Sequence, residues 1–303
     1  MKKYISTLFI SLFLLSFTGI TAQEKISLKF TPPEKSSYTI TSEILQDINM
    51  PEMGEMGKAK NIIGFTYTFD VSEKDANNNI GMAITYDKVK FITKSAMADI
   101  GYDSEKEVDS SNMASLMFAK MFSELIGKKI YVKFNEQGGV TAVEGMEEIL
   151  QGIVKNSGIA DMPGGDAAIA GLKQQFTNEQ VKKSFDESFN VLPKRKVAIG
   201  ETWNKSTDKS VMNFNLHVDN IYTLKEVKGE TAKVDITSEI KMDKAQQGLS
   251  MEGTQSGSMD IDTNTGLALN SVLNQKLKGD MKVGENTTAL EISSVITTKS
   301  VKK

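Results

Sequence analysis

The chain is 303 residues long, with 36 Lys+Arg, 39 Asp+Glu, one His and no Cys, for a formal net charge of −3. These counts exclude a disulfide framework, a thiolate metal site and a Cys nucleophile, and leave one imidazole for any His-dependent chemistry. Mild acidity argues against nucleic acid, which needs a basic patch, and 25% charged with 39% hydrophobic residues describes a folded chain rather than a disordered one.

The first element is an export signal. Lys2 and Lys3 precede an apolar run from Tyr4 to Phe17, and Thr18, Gly19, Thr21 and Ala22 supply the small residues of a cleavage site. The run is shorter than the roughly 20 residues of a membrane span. Cleavage after Ala22 makes Gln23 the first mature residue, and no Cys stands there to carry a lipid. The expected location is the periplasm or the exterior, with no membrane span after cleavage.

Period-two patterning follows. Phe65, Tyr67, Phe69 and Val71 alternate with polar residues, as do Ile80, Met82, Ile84 and Tyr86, and the turn-rich SEKDANNN lies between the two sets. That spacing predicts a long hairpin with one covered face. Over 109–126 the pattern turns helical: Met113, Leu116, Met117, Phe118, Met121, Phe122 and Leu125 form a wide apolar stripe, and Gly127 stops it. A hairpin follows over Ile130–Phe134 and Val140–Val143. Helices are predicted from Met146 to Val154, from Asp166 to Phe176, and after the capping box Thr177-Asn178-Glu179-Gln180. Pro193-Lys194-Arg195-Lys196 marks a break near residue 190. Alternation then resumes through Met212, Phe214, Leu216, Val218, Tyr222 and Leu224, and through Ala232, Val234, Ile236, Ile240 and Met242. A hairpin around Asp262–Gly266 and a closing strand over Leu290–Ile296 complete the chain.

The predicted fold is α+β and mostly antiparallel, with two curved multi-stranded sheets or half-barrels and a helical insert in the middle. The expected division is 1–22 as signal peptide, 23–190 as a β-rich half with helices at about 109–187, and 191–303 as an antiparallel half.

Few residues point to chemistry. His217 sits on the polar parity of its strand. Gly248-Leu249-Ser250-Met251-Glu252-Gly253 has the spacing GxSxxG, not that of a nucleophile elbow. The carboxylate pairs Glu147/Glu148 and Asp260/Asp262 carry no mark of burial. Asp260–Gly266 alternates oxygen ligands but lacks the Gly and acid positions of a calcium loop, which leaves a hairpin turn. Met50, Met53 and Met56 could hold Cu(I), but no His is near and Met serves throughout as core filler. No catalytic residue, metal site or cofactor is therefore assigned. Trp203 is read as an anchor for one end of a sheet, with ring stacking on a ligand as the sharper alternative.

The signal ending in Ala-Gln, the two β-rich halves around helices, and the lead-in PKRKVAIGETW together resemble a family of exported bacterial proteins of unknown function. Some of its members are lipoproteins; this chain lacks their Cys. More distantly, the pattern is similar to the half-barrel of lipoprotein carriers and lipid-binding envelope proteins. That resemblance implies a curved sheet wrapping helices, with acyl chains in the hollow. The expected function is non-enzymatic: a lipid or acyl ligand held by Phe65, Tyr67, Phe69, Met113, Met117, Phe118, Met121, Phe214 and Leu216. An envelope structural or interaction module with a filled core is the alternative, and a hydrolase the third.

Overall fold

The computed structural model describes residues 24–96, 99–161, 164–211, 214–242 and 248–303. The signal segment 1–22 and Met212 lie outside them.

The N-terminal half contributes β1 (Ser37–Asn49), β2 (Lys58–Lys74), β3 (Ile80–Ser95), β4 (Asp99–Asp103), β5 (Lys129–Phe134) and β6 (Val140–Glu144). The C-terminal half contributes β7 (Thr202–Val211), β8 (Phe214–Lys228), β9 (Thr231–Lys241), β10 (Leu249–Asp262), β11 (Ala268–Val283) and β12 (Asn286–Lys302). Among the described residues four α-helices lie in the middle of the chain: α1 (Met113–Ser123), α2 (Met146–Asn156), α3 (Gly165–Gln175) and α4 (Asn178–Phe189). Thr177 caps α4 as its sequence predicts, its Oγ1 accepting from the Gln180 N–H at 3.1 Å.

The expected two sheets are one. Among the described residues every strand-to-strand ladder is antiparallel, and the strands run β6-β5-β3-β2-β1-β12-β11-β10-β9-β8-β7, with β4 on the far end of β3. The first strand pairs with the last, from Tyr38↔Lys302 to Asn49↔Glu291. Each half alone would leave a long edge of unpaired N–H and C=O groups, and joining β1 to β12 satisfies both edges. The chain thus starts mid-sheet, meanders to β6, crosses through the helices to β7, and meanders back.

The two outer edges, β6 and β7, are not bonded to each other among the described residues, so the sheet is open. Helix α4 reaches both. Asp186 Oδ1 accepts from the Val140 N–H at 2.7 Å on the β6 side, and the Lys205 ammonium of β7 donates to Asn190 at the end of α4.

One end of the sheet is sealed. Phe30 and Leu28 from the N-terminal segment, Met82 and Ile84 of β3, Ile130 and Phe134 of β5, and Leu224 and Val234 of β8 and β9 are all almost fully buried. Phe30, Phe134 and Phe189 meet with centroids 5.0, 5.8 and 5.1 Å apart. Each such side chain contributes about 1.5–3 kcal/mol of apolar burial. Trp203 closes the β7 side, stacked on Tyr222 at 5.5 Å, its indole N–H donating to the Val191 carbonyl at 2.7 Å. The indole is an anchor, with its face already covered.

At the other end the strands run on past this core. There β10 carries inward-facing glycines. A Cβ on Gly253 or Gly257 would lie 2.0 Å from the carbonyl oxygens of Lys276 or Val272 on β11. Only a residue without Cβ allows that approach. The strands on either side fold toward each other across it, and Val218 and Ile240 pack in one buried cluster with Leu277.

Candidate functional site

The inner face of the curled sheet is the candidate site. Phe65, Tyr67 and Phe69 all face inward from β2, because alternate residues share a face. Phe69 is 2% exposed and belongs to the sealed core. Tyr67 lies between it and Phe65, and meets Tyr86 of β3 edge-on at 4.8 Å. Burial pushes the Tyr86 phenol up to about 12, and raises Tyr67 well above its ordinary value with a smaller contribution from Tyr86. Both rings nevertheless keep part of their surface open.

Helix α1 forms the side wall. Asn112 caps it through the Ser115 N–H and donates its amide to the Asp99 carbonyl at 2.8 Å, while Ser115 Oγ accepts from Gly101 N at 3.1 Å. These bonds pin the helix start to β4. Phe118 packs on Phe91 of β3 at 5.0 Å, and Phe122 stacks on Tyr102 of β4 at 6.1 Å. Only Ser115 and Ala119 of the helix are buried; Leu116, Met117, Phe118, Met121 and Phe122 stay half-buried. A helix that is apolar on most sides and sealed on none is thin cover rather than core.

The sequence-predicted ligand residues divide accordingly. Phe65 and Phe118 pack against the same buried trio, Val89, Tyr102 and Ala119. Met121 packs on the main core, and Met117 is half-buried. Met113 is 75% exposed and points away. Phe214 opens β8, its backbone paired with Val211, and Leu216 joins the separate cluster of Val218, Ile240 and Leu277. Helix α1 packs on β3 and β4, and in the strand order β1, β12, β11, β10 and β9 lie between β2 and β8. Nothing in the periodicity of either segment reveals which strands will be neighbours.

The sequence reading missed a row of polar side chains on this apolar face. Taken strand to strand in exact register, Thr93, Asn61 and Gln46 stand opposite one another on β3, β2 and β1. The row continues through Ser294, Gln275 and Gln255 on β12, β11 and β10. It ends with Ser238, Asn220 and Lys205 on β9, β8 and β7. The Thr93 hydroxyl donates to Asn61 at 2.9 Å, Asn61 to Gln46 at 2.9 Å, and Gln46 to Ser294 at 3.4 Å. From the other side Ser238 donates to Asn220 at 2.7 Å. The rows two residues away on either side are apolar. One holds Phe91, Ile63, Ile44, Ile296, Leu273 and Ile236, and the other Ile48, Ile292, Leu277, Ile240 and Val218. Ile44, Ile48, Ile63, Ile292 and Ile296 are half-buried, unlike their counterparts at the sealed end.

The outer face carries the remaining candidates. His217 Nδ1 lies 2.7 Å from Asp208 and Nε2 3.3 Å from Asp219, which in turn accepts from the Ser206 hydroxyl. Ser250 Oγ accepts from the Asp280 N–H at 3.3 Å. Both ring nitrogens of His217 face carboxylates and neither faces a hydroxyl, so the arrangement is an ion cluster rather than a relay. The hydrogen bond to Asp208 raises the His217 pKa above its ordinary 6.5, although Lys241 stands opposite on β9. Because the folded value is the higher one, the stabilisation is full below about pH 6.5 and is lost as pH rises through the folded midpoint. An NMR titration is expected to give a His217 midpoint above 6.5 that Asp208→Asn lowers; an unmoved midpoint contradicts the pairing. Asp262 accepts from the Asn264 and Thr265 N–H groups, as a hairpin turn requires.

Residues 77–268 match a family described as one of unknown function, DUF6263. No curated protein matches the chain. Among solved structures, DynF from the dynemicin biosynthesis pathway of Micromonospora chersina is similar over 92% of this chain and 86% of its own, at 7% identity and a TM-score of 0.24. OccK5 of Pseudomonas aeruginosa is similar over 90% and 99%, at 4% identity and 0.20. The translocator domain of the autotransporter NalP from Neisseria meningitidis follows at 89% and 90%, with 6% identity and 0.20. Likeness at those scores carries no functional weight.

Proposed function

We propose that this chain, which belongs to the DUF6263 family of unknown function, is an exported, non-enzymatic binding protein that holds an apolar ligand of the acyl-chain type against the inner face of its sheet. The observation that carries the reading is the unequal filling of that face. At the sealed end, Ile80, Ile84, Ile130 and Phe134 are fully buried, whereas Phe65, Tyr67 and Phe118 near α1, and Ile44, Ile48 and Ile296 mid-sheet, are only half-buried. Apolar surface left partly open inside a concave wall gains about 25 cal/mol per Å² when a hydrocarbon covers it. The flexible thioethers of Met117 and Met121 suit chains of varied shape. Export rests on the basic start and apolar run of residues 2–17. Among the described residues no helix is long and apolar enough to cross a membrane.

The test is native mass spectrometry of the purified chain with a dye-displacement titration against dodecanoate and hexadecanoate. Bound acyl mass and saturable displacement are expected, with Phe118→Ser weakening the affinity about tenfold, as loss of most of a buried aromatic contact does. Absence of displacement by either acid would favour the envelope module with a filled interior.

A further inference from the structure

The row of polar side chains interrupts an apolar stretch of the inner face. Neutral amides and hydroxyls on an apolar wall lose hydration unless they find partners. Both flanks of the row do find them: Thr93, Asn61, Gln46 and Ser294 form one chain, and Ser238 with Asn220 another. Between these flanks lie Gln275 and Gln255, directly opposite each other on β11 and β10. Neither side chain bonds to any described residue, and both are half-buried. Each amide offers two donors and an acceptor into the concavity.

We infer that Gln255 and Gln275 receive an uncharged hydrogen-bonding group, an ester or amide, set between two hydrocarbon arms of the bound ligand. This rests on the binding reading above and adds the ligand's class. Three features support it. First, the apolar rows lie about 7 Å to either side along the strands, so a ligand lying along them meets hydrocarbon, then polar atoms, then hydrocarbon. Second, Gly253 and Gly257 flank Gln255 and carry no side chain, so Gln255 is the one side chain that β10 presents on this face between Met251 and Met259. Third, the only ionisable member of the row, Lys205, stands at its far end and already donates to Asn190. Among the described residues a carboxylate or phosphate would find no cation of the row beside the two glutamines, whereas a carbonyl oxygen and an N–H would find their complements.

The experiment displaces a fluorescent fatty-acid analogue from the full chain with N-decyl decanamide, decyl decanoate, a straight alkane of equal length and a fatty acid of equal length. The amide and ester are expected to compete at about tenfold lower concentration than the alkane. Gln255→Leu/Gln275→Leu is expected to erase that preference while leaving alkane binding intact or tighter. Gln275→Met, closer in shape, is expected to reduce it in part, and thermal melts confirm that both variants are folded. Equal competition by all four probes, or a preference untouched by the substitutions, overturns the inference while leaving the binding reading in place. No displacement by any probe, the alkane included, overturns both.

Discussion

Gly257→Val is expected to cost about 3 kcal/mol or more, enough to lower the melting temperature by roughly 10 °C. A Cβ at 257 would stand 2.0 Å from the Val272 carbonyl oxygen and 2.9 Å from the Leu273 Cα. Both are backbone atoms of the neighbouring strand, so no rotamer change relieves the clash. Strands β10 and β11 must separate, and with them the packing of Val218 and Ile240 on Leu277. Gly64→Ala is the control. Its added Cβ meets the Lys90 Cβ at 3.4 Å, an ordinary contact, and should change stability by no more than about 0.5 kcal/mol. Urea unfolding of both variants checks the contrast; equal stabilities would mean that the sheet does not turn at β10.

Phe134→Ala is expected to cost about 3–5 kcal/mol, as truncation of a fully buried aromatic does. Phe134 is 0% exposed and contacts Phe30 and Phe189 with its ring. Phe30 also donates its N–H to the Glu136 carbonyl just beyond β5. The substitution therefore opens a cavity where the N-terminal segment, β5 and α4 meet. Phe30→Ala in the same chain should cost less than the sum of the two single changes, because the variants share one cavity. A loss below about 1 kcal/mol in urea unfolding would place Phe134 outside the core.

Much of the fold was legible as alternation or as helical stripe. The hairpin of β2 and β3, the strands β8 and β9, the capping of α4 and the turn at Asp262 all stand where the residues put them. Strand β1 was not legible, and β10 to β12 only in part, for one physical reason. Their inward positions include Ser42 and Gln46, Gly253, Gln255 and Gly257, Ser271 and Gln275, and Ser294 and Thr298. The polar row and the glycine corner replace hydrophobic residues at the positions that would have signalled a strand. The feature that hid these strands is the one that makes the inner face chemically distinct. Polar residues recurring on the inward parity of several strands were the available signal, and only the register shows that they align.

The joining of the halves was equally out of reach. Pairing of β1 with β12 links residues more than 240 positions apart, and no local pattern encodes it. That single pairing converts two expected sheets into one. Helix α1 lies over β3 and β4.

The absence of cysteine from the chain makes a direct test of the half-open inner face simple. Ile44→Cys, Ile48→Cys and Ile296→Cys report on the open rows, and Ile84→Cys and Ile130→Cys on the sealed core. Reaction of each with a small thiol reagent, without and with hexadecanoate, is the measurement. The three mid-sheet positions are expected to react readily and to be protected by the acyl chain, while the two core positions stay slow in both conditions. Uniformly slow labelling, or labelling that the acyl chain leaves unchanged, would contradict an inner face built to be covered by a ligand.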